Sequence, residues 1–439
     1  MTKHRCVSLV TVLFLVVSSV FAVAAQSKLS DFERARNREM LEVVRDEIKK
    51  NYFDKGFRGI DLESQFKTAQ EQLDRASTNS EAFYIIAAFA ATLDDSHTRF
   101  SPPSRFVQID HGWIMQMVGD RCLVVQVKPG SDAEQKGLRP GDEILKVEVY
   151  GPTRKNIWTM KYLFYELNPV SEFNLEVRKP DGEIKQLSVS AKRTEGRRVT
   201  DLTVYSEYSS AEREYENQLK LQSHRYWDLG EDLVVWQMPR FDLTKEKVDD
   251  FLGKWSKARS LIIDLRGNGG GSEETLLRLL ANLLESDYKV GDLIQRNGTK
   301  PIEVKSIGNK VYKGKVFVLI DSESASASEV FARVMQLSKR GIVIGDTSSG
   351  MVMRSIFYPK QSGLDSRVVF YGVSVTNADL VMNDGKGLEK VGVTPDIAIF
   401  PTPADLRDKK DPVLAFAARQ AGVELSAEKA AAIFPFRWK

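Results

Sequence analysis

Alternating serines lie between a short apolar run and a helical pattern at residues 315–332, KVFVLIDSESASASEVFA. Lys315–Ile320 is rich in Val and Phe, which predicts a buried strand, and the spacing of apolar residues predicts a helix over 329–337. The serines stand at positions 322, 324, 326 and 328. Backbone N–H groups at a helix start are unpaired and carry partial positive charge. A serine there can be a nucleophile beside an oxyanion hole, although serine is also a common helix cap.

A glycine-rich segment, SLIIDLRGNGGG at 260–271, has a similar organisation. Leu261–Ile263 predicts a second buried strand, and residues 273–285 predict a helix. Between them, Asp264 and Arg266 precede three consecutive glycines, whose backbone N–H groups can approach a substrate closely. We expect Asp264 and Arg266 to form a charge pair that fixes the loop, and Asn268 to cap the turn. The GxxxxGK[ST] and GxGxxG patterns of phosphate-binding loops are absent.

Together these two segments resemble the C-terminal-processing (tail-specific) serine peptidases and their relatives, the tricorn core proteases. Other segments in the same order strengthen the resemblance: LDDSHTRFSPP at 93–103, a PDZ-like stretch, GDTSSG at 345–350 and KGLEKVGVTPDI at 386–397. The resemblance implies a multidomain α/β protein. Its parts would be an N-terminal helical subdomain, a PDZ-like β module and a catalytic core of the ClpP/crotonase-like type. Alternating strands and helices after residue 233 independently predict a largely parallel core.

The chain is predicted to begin with a signal peptide. Lys3 and Arg5 precede an apolar run, which ends at the small residues Ala24 and Ala25. We expect five segments: a signal peptide (1–25), a helical subdomain (26–103), a PDZ domain (104–194), a serine peptidase core (195–403) and a C-terminal helical tail (404–439). The predicted location is therefore periplasmic or extracellular.

Composition excludes several other classes of protein. The chain has 63 basic and 60 acidic residues, a net charge of +3, which gives no electrostatic case for nucleic acid as a partner. No segment after the signal peptide is apolar enough to span a membrane. Cys122 is the single cysteine beyond residue 25, so no intrachain disulfide is expected. Without an HExxH motif or a Cys/His cluster, no metal or cofactor is expected.

The resemblance implies Ser326, the middle serine of SASASE, as the nucleophile. It also implies an oxyanion hole formed by the backbone N–H of Ala327 and that of Gly270 or Gly271. We expect Ser324 and Ser328 to pack or cap. Glu329 lies at the helix start, where its negative charge interacts favourably with the helix dipole. This interaction explains the residue without a catalytic role.

Met351 departs from the pattern of the family. In most C-terminal-processing peptidases a lysine follows the glycine that corresponds to Gly350, and this lysine removes the proton of the nucleophile. A thioether cannot accept that proton. The tricorn branch uses histidine instead, which implies His97 as the base.

The resemblance to the tricorn branch also implies two supporting residues. Ser96 corresponds to the serine beside the base. Glu389 is the best candidate for the glutamate that this branch uses downstream of the nucleophile. A neutral imidazole near its natural pKa suits proton transfer in both directions.

Residues 123–149 resemble a PDZ domain, most strongly at GLRPGDEIL, 137–145. Residues Gly112, Trp113, Ile114 and Met115 occupy the place of the carboxylate-binding loop in that domain. Such a loop holds a peptide C-terminus while the peptide adds a strand to the sheet edge. The predicted partner is therefore a polypeptide substrate with a free C-terminus.

Two functions remain open from the sequence. The first is a secreted serine endopeptidase with histidine as its base. The second is an inactive relative that retains the fold as a peptide-binding scaffold, as the exchange of lysine for Met351 would allow. The sequence leaves open the substrate, the oligomeric state and any gating of activity by the PDZ module, and it specifies no apolar ligand pocket.

Overall fold

The computed structural model describes residues 29–103, 107–195, 223–363 and 368–438. The predicted signal peptide lies outside these residues. No helix within the described ranges is long and apolar enough to cross a membrane.

Three helices form the N-terminal part of the described chain. They are α1 (Asp31–Asn51), α2 (Leu62–Arg75) and α3 (Asn79–Ala91). Each begins at a residue whose side-chain oxygen accepts a backbone N–H of the first turn: Ser30, Asp61 and Thr78. Their apolar faces share one core with the short strand β1 (Arg99–Ser101) and with part of a long strand described below. This core supports the 94–98 turn, which carries the predicted base.

An antiparallel module follows and has a core of its own. A short ladder pairs β2 (Val107–Asp110) with β8 (Lys192–Glu195). The main sheet has the order β3-β4-β5-β6-β7. Its strands are β3 (Trp113–Val118), β4 (Arg121–Val127), β5 (Glu143–Val147), β6 (Glu172–Arg178) and β7 (Ile184–Ser190). The helices are α4 (Asp132–Gln135) and α5 (Ile157–Lys161), and α5 continues into a π-helical turn, Tyr162–Leu167. Strand β3 is an edge of the sheet.

A six-stranded sheet forms the centre of the remaining chain, in the order β18-β15-β14-β11-β10-β9. Its strands are β9 (Arg225–Asp228), β10 (Val234–Gln237), β11 (Ser260–Asp264), β14 (Lys315–Ile320), β15 (Ile342–Gly345) and β18 (Ile397–Ala398). All pairs are parallel except β9 with β10, so the largely parallel core is confirmed. Because neighbouring parallel strands end at one edge, the loops after β10, β11 and β14 meet there.

Helices cover both faces of this sheet. One face packs against α6 (Lys245–Lys254), α7 (Glu273–Ala281) and α8 (Ala327–Leu337). The other face packs against α10 (Pro412–Gln420) and α11 (Ala427–Ile433), which follow the short helix α9 (Pro403–Arg407). Burial on both faces explains why β11 and β14 are continuous apolar runs in the sequence.

A further sheet has the order β1-β17-β12-β13, with β16 also paired to β17. It contains β12 (Tyr288–Gln295), β13 (Gly298–Val304), β16 (Arg354–Ser362) and β17 (Val369–Met382). The apolar run at 368–375 predicts a strand, which corresponds to part of β17. The others were missed because their exposed positions are polar or charged, although Asn297-Gly298 is a recognisable turn signal.

Strand β15 offers a matched test of burial. Ile344 is fully buried between the helical layers, whereas the side chain of Ile342 in the same strand is 41% exposed. We expect Ile344→Ala to lower the free energy of unfolding by about 2–5 kcal/mol, through lost contacts and a residual cavity. Ile342→Ala should cost less than about 1 kcal/mol. Urea denaturation of both variants measures the difference, and equal losses would contradict this packing.

Candidate active site

The predicted nucleophile lies between β14 and α8, at the carboxyl edge of the central sheet. Ser326 directly precedes α8 and has φ 56° and ψ −118°, a conformation that non-glycine residues rarely adopt. Such strain costs about 1–3 kcal/mol and persists only where surrounding contacts impose it. Ser324 and Ser328 donate to the carbonyl oxygens of Leu265 and Asn268, at 2.8 and 2.9 Å. Ser326 Oγ donates to no described residue and lines a cleft.

Glu329 anchors the predicted nucleophile from inside the protein. Its carboxylate is fully buried and accepts four hydrogen bonds. The donors are Ser348 Oγ at 2.6 Å, Gly350 N at 2.7 Å, Met351 N at 2.9 Å and Ser326 N at 3.0 Å. Burial raises the pKa of Glu329 to about 7, and the four donors oppose this rise. Sequence analysis assigned Glu329 only to the helix dipole and missed this role, because its partners at 348–351 come from another loop.

The glycine loop packs directly against Ser326. A Cβ placed on Gly270, which has φ 97°, would lie 2.7 Å from the Cβ of Ser326. Asn268 Oδ1 accepts the Gly270 N–H at 2.8 Å, and Asn268 Nδ2 donates to Met238 O at 2.7 Å, so the predicted cap at Asn268 is confirmed.

This contact bears on the predicted oxyanion hole. The amide of Gly270 is already bonded to Asn268 and is not available to a substrate in this conformation. The amides of Gly271 and Ala327 donate no hydrogen bond within the described residues. The two donors that remain as candidates are therefore Ala327 and Gly271.

The predicted charge pair of the loop is present and extends to the C-terminal helices. Arg266 contacts Asp264 at 2.8 Å and Asp411 at 2.8 Å, and donates two hydrogen bonds to each carboxylate. Desolvation would lower the pKa of Arg266, but the two carboxylates outweigh it and raise that pKa well above its usual value. Asp411 also accepts the N–H of Leu414 at the start of α10. This network ties the base of the glycine loop to α10.

The structure brings together Ser96, His97 and Glu389. Ser96 Oγ lies 2.6 Å from His97 Nδ1 and donates to Glu389 Oε2 at 2.9 Å, while the backbone N–H of Ser96 donates to Glu389 Oε1 at 2.8 Å. A hydroxyl has one proton, so a proton directed to Glu389 makes Ser96 an acceptor for Nδ1–H of His97. This assignment leaves Nε2 of His97 without a proton.

Asp95 fixes the turn that carries His97. Its Oδ1 accepts the backbone N–H groups of His97 at 2.9 Å and Thr98 at 2.6 Å, and the hydroxyl of Thr376 at 2.8 Å. Thr376 belongs to β17, so the turn is bonded to a different part of the fold. Asp95 therefore acts as a structural acceptor.

The environment of His97 keeps its ring neutral. Desolvation by burial lowers the pKa of His97 to about 4, against the opposing charge of Asp95. No hydrogen bond joins the ring to Ser326 within the described residues, but both side chains line one cleft of about 630 Å³. The lining also includes Pro239, Arg240, Gly267, Gly269, Gly270, Gly271, Met353, Arg354 and Ser355. Catalytic hydrogen bonds are often long until a substrate closes the site.

One backbone amide of the predicted carboxylate-binding loop already donates a hydrogen bond to a side chain of the protein. The N–H of Gly112 donates to Asp110 Oδ1 at 2.9 Å, and Asp110 also pairs with Lys128. Trp113 and Met115 are buried in the core of the module. An internal carboxylate therefore holds the first amide of the loop.

The antiparallel module contacts the segment before Ser326 and the segment around Asp346. Gln116 Nε2 donates to Asp321 Oδ2 at 2.8 Å, and Lys161 Nζ pairs with Glu323 at 2.7 Å. Arg154 donates to the carboxylate of Asp346 at 2.7 Å. These contacts reach both the loop before Ser326 and the loop that Glu329 anchors.

The fold and this site define a serine-type peptidase. The model of peptidase family S41 matches residues 232–399 of this chain. The chain is 25% identical over 381 residues to the chloroplastic C-terminal processing peptidase of Tetradesmus obliquus, covering 82% of this chain and 77% of that protein. It is 24% identical over 376 residues to carboxy-terminal processing protease CtpB of Bacillus subtilis, covering 84% and 69%.

Two further comparisons extend this result. The tail-specific protease of Haemophilus influenzae is 28% identical over 309 residues, which cover 66% of this chain and 41% of that protein. Among solved structures, mature CPAF complexed with lactacystin has a TM-score of 0.61 at 16% identity, covering 85% of this chain and 95% of that one. This last similarity concerns the fold alone.

The protonation of His97 can be measured directly. We expect its ring to stay neutral down to about pH 4, because burial disfavours the imidazolium, whereas the unfolded chain protonates near pH 6.5. Since the unfolded state then binds the proton first, this residue lowers folding stability as pH falls from about 6.5 to 4. NMR titration of the folded protein, compared with the protein in urea, measures both values. A folded pKa near 6.5 would contradict the assignment.

Gly270 can be tested against a glycine with the same backbone demand. Gly270→Ala places a methyl group against Ser326, whereas Gly267, at φ 71°, has open space at its Cβ position. Both variants share the cost of a positive φ, about 1 kcal/mol. We expect only Gly270→Ala to lower the rate of Ser326 labelling by a fluorophosphonate, by tenfold or more. Similar rates in both variants would show that the close approach has no effect on the nucleophile.

Proposed function

We propose that this chain is an exported endopeptidase that cleaves polypeptides with Ser326 as nucleophile and His97 as base. Ser96 and Glu389 orient the imidazole. The observation that carries this proposal is the hydrogen-bonded series Glu389–Ser96–His97, which ends in the cleft that Ser326 lines.

The reaction follows from these positions. Ser326 Oγ attacks the carbonyl carbon of the scissile bond while Nε2 of His97 accepts the hydroxyl proton. The oxyanion that forms accepts hydrogen bonds from the amides of Ala327 and Gly271, at the positive end of α8. His97 then transfers its proton to the departing amine. Water enters and is activated by the same imidazole, and hydrolysis of the ester releases Ser326.

A neutral histidine suits this position better than lysine would. An amine close to Ser326 must be deprotonated to act as base, which requires a strongly lowered pKa. The half-buried ring of His97 is already neutral at physiological pH, so proton acceptance needs no further adjustment. Met351 keeps its backbone contacts with Ser326 and Glu329, through its carbonyl and its N–H, although its side chain cannot accept a proton.

The antiparallel module is proposed to recognise the substrate's free C-terminus. Residues 112–115 open the edge strand β3, the element to which a peptide strand would add. Asp110 occupies the Gly112 amide, so an incoming carboxylate would have to compete with this internal one. Release of Asp110 would be transmitted toward the nucleophile through the contacts of the same module with Asp321 and Glu323.

The alternative is an inactive relative that binds polypeptides without cleaving them. The observation in its favour is Met351, which removes the lysine that most family members use. Under this alternative, Met351→Lys would create or raise activity by restoring the ordinary base.

Casein hydrolysis by the mature chain tests the proposal. We expect activity in the wild type and a loss of at least 10³-fold in both Ser326→Ala and His97→Ala, since nucleophile and base act as one unit. Ser338→Ala, at the other end of α8, and His224→Gln, which does not line the cleft, are the matched controls. Both should retain near-normal rates.

Other outcomes of the casein assay would contradict separate parts of the proposal. Activity that survives His97→Ala removes histidine from the role of base. The inactive-relative alternative is supported by two results together. The wild type would cleave casein neither alone nor with added C-terminal peptides, and Met351→Lys would gain proteolytic activity.

A further inference from the structure

In the part of the chain that the structure describes, the active-site cleft is lined by positively charged side chains without negatively charged ones to match them. Arg240 and Arg354 contribute to the lining, while the described lining residues include no Asp or Glu. The carboxylates nearest the reaction, Glu329 and Glu389, are bonded to internal donors. They therefore do not supply anionic partners within the cleft.

Neither arginine is fully neutralised by the protein. Arg240 is exposed and has no hydrogen bond or ion pair within the described residues. Arg354 Nε donates to Asn377 Oδ1 at 3.1 Å, which orients the guanidinium without cancelling its charge. Its nearest acid is Glu273, at 3.6 Å, and both side chains are more than a third exposed. Such an exposed and distant pair is weak and leaves Arg354 able to bind another anion.

The two arginines come from separate parts of the fold. Arg240 directly precedes Phe241, which pairs with Gly271 of the glycine loop. Arg354 begins β16, three residues after Met351. The backbone hydrogen bonds of Phe241 to the glycine loop and of Met351 to Glu329 fix both segments at the site. The two arginines are therefore attached to the same segments that position Ser326. Guanidinium groups bind carboxylates through paired N–H donors.

We infer that Arg240 and Arg354 form a subsite for a carboxylate of the polypeptide substrate, close to the scissile bond. This inference rests on the proposed function and specifies its substrate class. The carboxylate can come from an Asp or Glu side chain, or from the free C-terminus of the substrate. Both have the same charge and geometry, so the experiment must distinguish the sources.

Three labelled peptides of 20 residues test the subsite. All share an unstructured sequence of Gly, Ser, Ala and Leu. The first contains a central Glu-Leu-Ala-Glu segment and an amidated C-terminus. The second contains Gln-Leu-Ala-Gln and is also amidated. The third is the glutamine peptide with a free C-terminal carboxylate. Cleavage by the mature wild type is followed by mass spectrometry, and binding to Ser326→Ala is followed by fluorescence anisotropy.

We expect at least one carboxylate-bearing peptide to exceed the amidated glutamine peptide by about tenfold in kcat/KM and in affinity. A preference for the glutamate peptide identifies side chains as the source, and a preference for the free acid identifies the C-terminus. The preference should shrink as salt rises, because exposed charges are screened.

Substitutions of the two arginines test whether the preference for carboxylate-bearing peptides arises in this cleft. Arg240→Gln and Arg354→Gln should each remove most of it, whereas Arg240→Lys and Arg354→Lys should retain part of it. Arg259→Gln is the matched control. Arg259 precedes β11 at the opposite edge of the central sheet, and its side chain is 77% exposed. This control should preserve the full preference. Thermal unfolding of every variant separates lost binding from lost folding.

The subsite and the proposed function can fail separately. Cleavage that depends on Ser326 but is equal for all three peptides would overturn the subsite and leave the peptidase intact. A preference for the free acid that survives both glutamine variants would also overturn it, and would indicate the antiparallel module as the acceptor. Selective, arginine-dependent binding without any cleavage would support the subsite and overturn the proposed peptidase.

Discussion

The candidate active site depends on the burial of one carboxylate. Glu329 lies where water cannot reach it, and an unpaired charge there would cost several kcal/mol. Four donors satisfy its two oxygens, including the backbone N–H groups of Ser326 and Met351. The carboxylate thus joins the start of α8 to the 348–351 loop. These contacts help to impose the unusual backbone of Ser326, whose strain would otherwise relax.

The second constraint is that the proposed base and the proposed nucleophile belong to different cores. The turn carrying His97 rests on the helical core near α3, whereas Ser326 belongs to the central parallel sheet. Glu389 connects them, because it accepts from Ser96 in one part and from the Val352 N–H in the other. Because this series of hydrogen bonds crosses between two cores, the distance between His97 and Ser326 depends on how the cores pack against each other. The antiparallel module reaches the same loops, so it also contributes to this alignment.

Local sequence signals predicted the parts of the fold that are buried on both sides. Strands β11 and β14 are continuous apolar runs, and the helices that cover them have regular apolar spacing, so both were predicted within a few residues. Strands β12, β13 and β16 were missed because only part of each strand is buried and charged residues interrupt the pattern. One of their pairings is also nonlocal, since β12 pairs with β17, which lies far from it along the chain. Single-strand patterns contain little information about such partners.

The sequence by itself determined the chemistry that is available: a serine at a strand-to-helix junction, a glycine loop, a histidine next to a serine, and no lysine after Gly350. These depend on residue type and local order, which the chain specifies directly. Only the tertiary structure decided which polar groups are already satisfied. It enclosed Glu329 among donors from the 348–351 loop and bonded Ser96 to Glu389, which is 293 residues further along the chain. Hydrogen bonding within a folded interior depends on which distant segments meet, and that is settled by packing across the whole chain.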